Sequence, residues 1–248
     1  MKIIAIIPAR MGSSRFPGKP MAKINGMPMI GHVYKKVCNC DLLTKTVVAT
    51  CDRIICDYIN SIGGNAVMTS DSHERASDRT AEALESIEKK EGFKFDIVVM
   101  VQGDEPMTDP GMISEAIKPM ISDKSIKITN LYANIKSQEE FQDKNCIKVV
   151  TDNNDNAMYF SREPIPTQKY NRNVPMKKQV CVIPFERDFL FEYQNMKPTP
   201  LEIVESVDMM RILQNGLKVK MIPTKYNTFA VDTKADLLKV EKLMALQN

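Results

Sequence analysis

The chain has 248 residues, and its 34 Lys and Arg residues against 31 Asp and Glu residues give a formal net charge of +3. That excess is too small and too dispersed for a nucleic-acid-binding protein, which concentrates basic residues on one face. No apolar run reaches the about 18 residues of a membrane-spanning helix, and the N-terminus lacks a signal-peptide pattern, so the sequence predicts a cytoplasmic protein without nucleic-acid or membrane partners.

In the first half of the chain, predicted strands alternate with predicted helices. Apolar and β-branched runs predict strands at Ile3–Ile7, Thr46–Thr50, Ala66–Met68 and Ile97–Val101. The spacing of apolar residues predicts helices at Met27–Cys38, Arg53–Ile62, Asp78–Lys90 (with Ser77 as its cap) and Pro110–Ile121. Such alternation is typical of βαβ units, so the sequence predicts an α/β fold with a Rossmann-like, mostly parallel sheet flanked by helices.

The second half has a different pattern, because full helices do not separate most of its predicted strands. These strands are Ile126–Tyr132, Ile147–Val150, Ala157–Phe160, Val180–Ile183 and Lys218–Ile222. Helices are predicted at Leu201–Leu213 and Lys234–Leu246, and the polar residues 164–178 predict a mobile loop. We therefore expect a single domain over residues 1–248, into which a smaller, partly antiparallel subdomain is inserted at about residues 126–215.

Residues 7–20 read I-P-A-R-M-G-S-S-R-F-P-G-K-P and follow the first predicted strand directly. The segment contains three cations and two glycines, which are Arg10, Arg15, Lys19, Gly12 and Gly18. Glycines let backbone N–H groups approach phosphate oxygens, and Arg and Lys side chains neutralise phosphate charge. At the carboxyl end of a strand this composition favours a triphosphate-binding loop, although a solvated basic turn would also account for it.

The loop differs from two common phosphate-binding motifs. Pro20 follows Lys19 at the place where a P-loop requires Ser or Thr, and the segment contains no G-x-G-x-x-G. The residues alone therefore do not assign it to a known nucleotide-binding class.

Two aspartates that follow predicted strands are candidate metal ligands. Asp104 lies three residues after the strand Ile97–Val101, and Asp232 lies in the segment F-A-V-D-T before the last predicted helix. Asp104 and the adjacent Glu105 could together hold Mg²⁺, which prefers one or two carboxylates with phosphate oxygens and water. Asp104 could instead cap the helix that follows it. From the residues alone, capping of the last helix is the favoured reading of the segment at Asp232, and either Asp232 or Thr233 could be that cap. The six cysteines contain no C-x-x-C pair, which argues against a zinc site.

These segments together resemble the CTP-dependent sugar-acid cytidylyltransferases, above all the CMP-Kdo synthetase (3-deoxy-manno-octulosonate cytidylyltransferase) family. The loop alone is also close to the spore-coat polysaccharide cytidylyltransferases. The motifs V-Q-G-D-E-P at 101–106, Y-F-S-R-E-P-I-P at 159–166 and V-D-T-x-x-D-L at 231–237 are similar to those of the Kdo family. The likeness covers residues 3 to about 240, although Arg75 and Ala76 stand where that family usually has Ser and Gly.

The resemblance implies a Mg²⁺-dependent nucleotidyltransferase that joins CTP to a 2-keto-3-deoxy sugar acid and releases pyrophosphate. It implies that Asp104 and Asp232 bind the metal and that these two residues, with Arg10 and Lys19, are catalytic. The nucleotide-binding residues that it implies are Ala9, Arg10, Ser13, Arg15, Lys19, Arg79 and Gln102. It also implies that Arg162 lies near the sugar acid, that the protein is a homodimer built largely from the second-half subdomain, and that the product supplies a surface glycan such as lipopolysaccharide or capsule.

The predicted sugar side departs from the family pattern at two positions. Gln179 replaces a His and Met209 replaces a Gln, and the strand after Gln179 lacks two tyrosines of the family. Because loss of polar contacts to sugar hydroxyls changes substrate choice, we expect either Kdo or a related, modified ulosonic acid, with Gln179 and Met209 at the substrate. Two alternatives remain: a cytidylyltransferase for a phosphate or phosphonate acceptor, and a non-catalytic nucleotide-binding module.

Overall fold

The computed structural model describes residues 1–13, 15–170, 174–226 and 229–246. Its strands are β1 (Ile3–Ala9), β2 (Lys23–Ile24), β3 (Met27–Pro28), β4 (Lys45–Thr50), β5 (Ala66–Met68), β6 (Ile97–Val101), β7 (Thr129–Asn134), β8 (Lys148–Thr151), β9 (Ala157–Ser161), β10 (Lys177–Val180), β11 (Val182–Glu186) and β12 (Lys220–Pro223). Its α-helices are α1 (Met29–Cys38), α2 (Arg53–Ser61), α3 (Ala76–Glu91), α4 (Pro110–Ser122), α5 (Gln138–Gln142), α6 (Arg187–Asn195), α7 (Pro200–Glu205), α8 (Met209–Gln214) and α9 (Lys234–Ala245).

The chain divides into two compact units. The first comprises residues 1–114 and 227–248, and the second comprises residues 115–226. No helix in the described part of the chain combines the length and the apolarity needed to cross a membrane.

Four parallel strands form the sheet of the first unit, in the order β6-β1-β4-β5. All seven residues of β1 are buried, as expected for a central strand covered by helices on both faces. The register pairs Ala9 with Thr50 and Ile6 with Met100, so β1, β4 and β6 end at the same edge of the sheet. The predicted parallel sheet flanked by helices is confirmed, and the segments that follow these three strands meet at one edge.

The second unit contains a mixed sheet in the order β12-β7-β10-β8-β9. β7 runs parallel to β12, whereas the other neighbouring pairs are antiparallel. The predicted antiparallel pairing of the second half is therefore confirmed, with one parallel pair in addition. Of the polar segment 164–178, residues 171–173 lie outside the described residues, and Lys177 and Lys178 belong to β10.

Three predicted elements are wrong in detail. The single helix Leu201–Leu213 is two helices, α7 and α8, because Ser206 between them has a left-handed backbone with φ of 51°. The strand Val180–Ile183 belongs to two strands that are separated at Cys181. Helix α3 starts at Ala76 with Arg75 as its N-cap residue, so Ser77 lies inside the helix.

A buried ion pair joins the two helices that replace the predicted single helix. Arg211 of α8 donates two hydrogen bonds to the carboxylate of Glu202 in α7, at 2.6 and 2.7 Å, and both side chains are buried. The hydrogen bonds that Arg211 donates to Glu202 raise the pKa of Arg211 above its usual value, since they favour the charged guanidinium. This pair links α7 to α8 across the break.

Candidate active site

A cleft of about 290 Å³ lies in the first unit, where β1 and β6 end and α3 begins. Its lining residues are Pro8, Ala9, Arg10, Gly12, Ser13, Arg15, Lys19, Pro20, His73, Glu74, Arg75, Ala76, Arg79, Gln102, Gly103 and Asp104. All seven residues predicted to bind the nucleotide are among them. Ligands of open α/β sheets bind at the carboxyl ends of the strands, and the cleft has that position.

The charge of the cleft suits a polyanion. Five cationic side chains line it (Arg10, Arg15, Lys19, Arg75 and Arg79), whereas Glu74 and Asp104 are its carboxylates. A concave surface with an excess of one sign of charge concentrates ligands of the opposite sign.

The cationic loop is closed on itself and anchored in the core of the first unit. The N–H of Gly18 donates to the carbonyl of Met11 at 2.9 Å, and Gly18 has φ of 77°, which favours glycine. Phe16, in the middle of the loop, is buried in an apolar cluster with Ile24 and Val231. The backbone around Arg15 and Lys19 is therefore held at both ends and in the middle.

Lys19 joins the two predicted metal ligands. Its Nζ donates to Asp104 Oδ2 at 2.7 Å, to Asp232 Oδ1 at 3.3 Å and to the carbonyl of Val231 at 3.0 Å. Arg15 donates to the same Asp232 oxygen at 2.9 Å. Between 15 and 23% of the Lys19, Asp104 and Asp232 side chains is exposed, so solvent screens these contacts only partly. The structure thus brings two aspartates, 128 residues apart in the printed sequence, onto one ammonium group.

Other residues cap the helices that the two aspartates were alternatively expected to cap. At the start of α9, the Thr233 hydroxyl accepts from the N–H of Asp236, and the carboxylate of Asp236 accepts from the N–H of Thr233, which is a capping box. At the start of α4, Asp109 Oδ1 accepts from the N–H of Gly111 at 2.8 Å. Capping therefore does not explain either Asp104 or Asp232.

A divalent cation fits this pair of carboxylates only with ligands from elsewhere. Among the described residues, no group of three or more His, Cys, Asp or Glu side chains could hold a metal ion. The bonds of 2.7 and 3.3 Å to Lys19 leave at most about 6 Å between the bonded oxygens of Asp104 and Asp232. Opposite ligands of Mg²⁺ lie about 4 Å apart. A small adjustment of the two side chains would therefore bring both oxygens to one ion. Phosphate oxygens and water would complete the coordination.

Close packing sets the position of the segment that carries Gln102 and Asp104. A Cβ atom at Gly103 would lie 3.0 Å from the carbonyl oxygen of Pro8 and 3.3 Å from Ile30 Cδ1. Only glycine fits there without a shift of the backbone, so the ends of β6 and β1 approach closely at the cleft.

Arg79 stabilises the segment of the cleft that lies between β5 and α3. Its side chain is buried and donates to Thr69 Oγ1, to the carbonyl of Ser70 at 3.1 Å and to the carbonyl of His73 at 3.5 Å. Arg10 donates to the same His73 carbonyl at 3.4 Å. The guanidinium of Arg79 thus holds the segment between β5 and α3, which lines the cleft.

The three residues predicted to bind the sugar lie in the second unit. The Arg162 guanidinium donates to three backbone carbonyls, those of Glu205, Lys144 and Ser206. The Gln179 side-chain amide donates to Asn130 Oδ1 at 2.6 Å, and Met209 is fully buried. The Arg162 side chain therefore holds backbone segments together, and Met209 is part of the buried core. A role of Arg162, Gln179 or Met209 at a substrate stays a prediction.

Sequence analysis missed Asp52, which contacts the cationic loop directly. Its Oδ2 accepts from the N–H of Met11 at 2.7 Å. In the sequence it is one acid before a predicted helix, and only the pairing of β1 with β4 could have indicated the contact.

Comparisons with known proteins agree on one family. The family model described as "Cytidylyltransferase" matches residues 4–221. The 3-deoxy-manno-octulosonate cytidylyltransferase of Geobacter metallireducens is 42% identical, with 100% of each chain covered. That of Fusobacterium nucleatum is 38% identical and covers 97% of this chain and 96% of its own.

Solved structures show the same likeness. CMP:2-keto-3-deoxy-manno-octonic acid synthetase complexed with CTP is 34% identical, with a TM-score of 0.92 over 100% of both chains. 4-Diphosphocytidyl-2C-methyl-D-erythritol synthase from Anaerococcus prevotii has a TM-score of 0.64 at 17% identity, covering 98% of this chain and 96% of its own, so it shows the fold alone.

Proposed function

Because this chain belongs to the 3-deoxy-manno-octulosonate cytidylyltransferase family, we propose that it transfers the cytidylyl group of CTP to 3-deoxy-manno-octulosonate (Kdo). The products are CMP-Kdo and pyrophosphate. The observation that carries the proposal is the cationic cleft whose Lys19 bonds Asp104 and Asp232 at once. Relatives with 38 to 42% identity over nearly the whole chain support Kdo as the acceptor.

The chemical step is an in-line displacement at phosphorus. The anomeric oxygen of the sugar forms a bond to the α-phosphorus of CTP, the bond from that phosphorus to the β-phosphate oxygen breaks, and the hydroxyl proton leaves to water. Negative charge grows on the leaving pyrophosphate. Arg10, Arg15 and Lys19 line the cleft and neutralise that charge, which lowers the barrier. The closed loop 11–18 keeps these cations in place and so contributes by positioning.

Asp104 and Asp232 are the residues that would hold Mg²⁺. When bound, the metal supplies a Lewis acid and a template for the phosphate oxygens. Support for this assignment comes from the ammonium of Lys19, which shows that a cation is favourable between the two carboxylates, and from the capping residues Thr233 and Asp109, which leave no helix-capping role for either aspartate.

We also propose that the protein accepts ulosonic acids other than Kdo. Gln179 and Met209 stand where the family pattern has His and Gln, so fewer polar side chains are available to sugar hydroxyls. We expect Kdo to be accepted, together with ulosonic acids that differ in those hydroxyls, because a lost hydrogen-bonding group relaxes discrimination against such analogues.

A pyrophosphate-release assay with CTP, Mg²⁺ and a panel of acceptors tests the function. We expect release with Kdo and none without an acceptor, and Asp104→Asn should abolish most of it. The matched control is Glu85→Gln, the same chemical change at an exposed position of α3. Release only with phosphate or phosphonate acceptors would contradict Kdo as the substrate, and tight CTP binding without release for any acceptor would favour a binding module.

The second unit has an exposed apolar surface that supports the predicted homodimer. Ile203 and Val204 of α7 are 63 and 73% exposed, and Met158 of β9 is 63% exposed. We propose that these side chains pack against a second copy of the chain, since burying exposed apolar side chains of this size favours association.

Light scattering after size-exclusion chromatography tests the dimer. We expect Ile203→Asp to give a monomer and Ile54→Asp, an equally apolar exposed position of α2 in the first unit, to stay dimeric. A monomeric wild-type protein, or a dimer that survives Ile203→Asp, would contradict the assignment. A cytoplasmic location and a role in supplying lipopolysaccharide or capsule remain predictions.

A further inference from the structure

Asp52 stands at the N-cap position of α2 but does not cap that helix. Its backbone is extended, with φ of −102° and ψ of 117°, and its side chain accepts no hydrogen bond from the first turn of α2. Asp is among the residues preferred at an N-cap because its oxygen normally accepts from the second or third helical N–H. Here Oδ2 accepts instead from the N–H of Met11, 41 residues earlier, at 2.7 Å.

The sheet register explains how the two residues meet. Ala9 and Thr50 are register partners at the ends of the parallel strands β1 and β4. Met11 and Asp52 each lie two residues beyond those partners, so the two chain segments leave the sheet side by side. The backbone of Asp52 is held at this place by its own N–H, which donates to Thr50 Oγ1 at 3.1 Å.

Met11 is one of the residues at which the cationic loop is fixed. Its N–H is bound by Asp52, and its carbonyl accepts from the N–H of Gly18 at 2.9 Å. Arg10 precedes this closed loop, Arg15 lies within it, and Lys19 follows it at once. A shift of Met11 would therefore displace the backbone on which all three cations of the loop are carried.

The charge of Asp52 also needs an explanation, because a carboxylate close to a phosphate-binding loop repels the phosphates. A carboxylate accepts a stronger hydrogen bond from a backbone N–H than a neutral acceptor does. The hydrogen bond from Met11 is the contact by which this carboxylate could offset that repulsion.

We propose that Asp52 is a positioning residue for the nucleotide-binding loop, which it holds through the backbone N–H of Met11. The inference rests on the proposed function in so far as that loop binds CTP. Asp52 touches neither the reacting atoms nor the two predicted metal ligands in any contact described above, so it acts through the loop.

Three variants separate this role from a general contribution to folding. Asp52→Ala removes the acceptor, Asp52→Asn keeps a side-chain oxygen that can accept from Met11, and Asp57→Ala removes an exposed acid from the same helix as a control. We expect Asp52→Ala to raise the KM for CTP about tenfold, the effect of losing one hydrogen bond to a charged group, with a smaller change in kcat. Asp52→Asn should stay within about threefold of the wild type, and Asp57→Ala should match the wild type.

Limited trypsin digestion of the nucleotide-free protein gives a readout that does not depend on catalysis. Trypsin cleaves after Arg10 and Arg15, whereas Pro20 protects the bond after Lys19. A released loop is cleaved faster, because proteolysis concentrates in mobile exposed segments. We expect faster cleavage for Asp52→Ala than for Asp52→Asn or Asp57→Ala, whether or not any acceptor is cytidylylated.

The wild-type protein tests the inference without any variant. The Met11 amide should exchange its hydrogen slowly in the folded, nucleotide-free protein, because its N–H is bonded. Fast exchange of that amide would overturn the proposal, as would equal cleavage rates and equal KM for Asp52→Ala and wild type. Equal impairment of Asp52→Asn and Asp52→Ala would also overturn it, since only the second loses the acceptor.

Discussion

Replacement of Lys19 by Met tests the site at its most connected residue. The change keeps much of the length of the side chain and removes its charge and its three hydrogen bonds, to Asp104, Asp232 and the carbonyl of Val231. Two carboxylates that now share one ammonium would then face each other, with Arg15 as the remaining cation that contacts Asp232. We therefore expect Lys19→Met to lower kcat and to tighten metal binding.

The size of each effect follows from the contacts. Loss of one preorganised group that stabilises transition-state charge costs about 100- to 1,000-fold in kcat. At the Lys19 distances of 2.7 and 3.3 Å, and with an effective dielectric constant near 20, each ammonium–carboxylate contact contributes about 5–6 kcal/mol of attraction before desolvation is subtracted. If only about 1.4 kcal/mol of this opposes a metal ion in the nucleotide-free protein, its removal tightens metal binding tenfold.

The assays are steady-state pyrophosphate release and titration of the nucleotide-free protein with Mn²⁺, followed by electron paramagnetic resonance. Lys23→Met, at an exposed lysine of β2, is the matched control and should resemble the wild type in both assays. An unchanged Mn²⁺ affinity in Lys19→Met, together with a kcat within threefold of the wild type, would refute the reasoning.

Three further predictions concern single groups. Asp104→Asn should lower kcat at least about 100-fold while calorimetry still shows a folded protein, and a variant with near-normal turnover would disprove the metal assignment. Glu202→Gln should cost about 3–5 kcal/mol of stability because it leaves Arg211 buried without its partner charge, which lowers the unfolding temperature by roughly 10 °C; an unchanged melting curve would contradict this. Partial burial raises the pKa of the Cys146 thiol to about 11, so iodoacetamide at pH 8 should alkylate it at least about 100-fold more slowly than the exposed Cys38, and equal rates by mass spectrometry would contradict this shift.

Much of the first unit could be predicted from the sequence because its signals are local. The strands Ala66–Met68 and Ile97–Val101 are confirmed to the residue, since each is an apolar run with clear polar or glycine neighbours. The loop that carries Arg15 and Lys19 follows β1 directly, so its composition indicated an anion-binding segment.

The errors occurred where a single backbone conformation decides the structure. Apolar residues continue with helical spacing on both sides of Ser206, and nothing in the sequence marks its left-handed conformation. Arg75, not Ser77, precedes the first turn of α3, although Ser is the better capping residue. In neither case did the local sequence preference predict the backbone conformation that the structure has.

The long-range contacts of the site could not be predicted from local sequence patterns. Capping was the favoured reading of Asp232 from its own segment, and only the position of Thr233 in the folded chain excludes it. Asp52 looked like an ordinary acid before a helix, because its partner Met11 belongs to another strand end. The family resemblance supplied Asp104 and Asp232 as a pair, which spacing alone could not do.

A crystal structure of the complex with CTP and Mn²⁺, with the metal located by its anomalous scattering, tests the central claim most directly. We predict a Mn²⁺ peak coordinated by Asp104 and Asp232, with the triphosphate against Arg10, Arg15 and Lys19. A metal bound away from either aspartate, or a nucleotide outside the cleft that holds residues 10 and 19, would contradict the account.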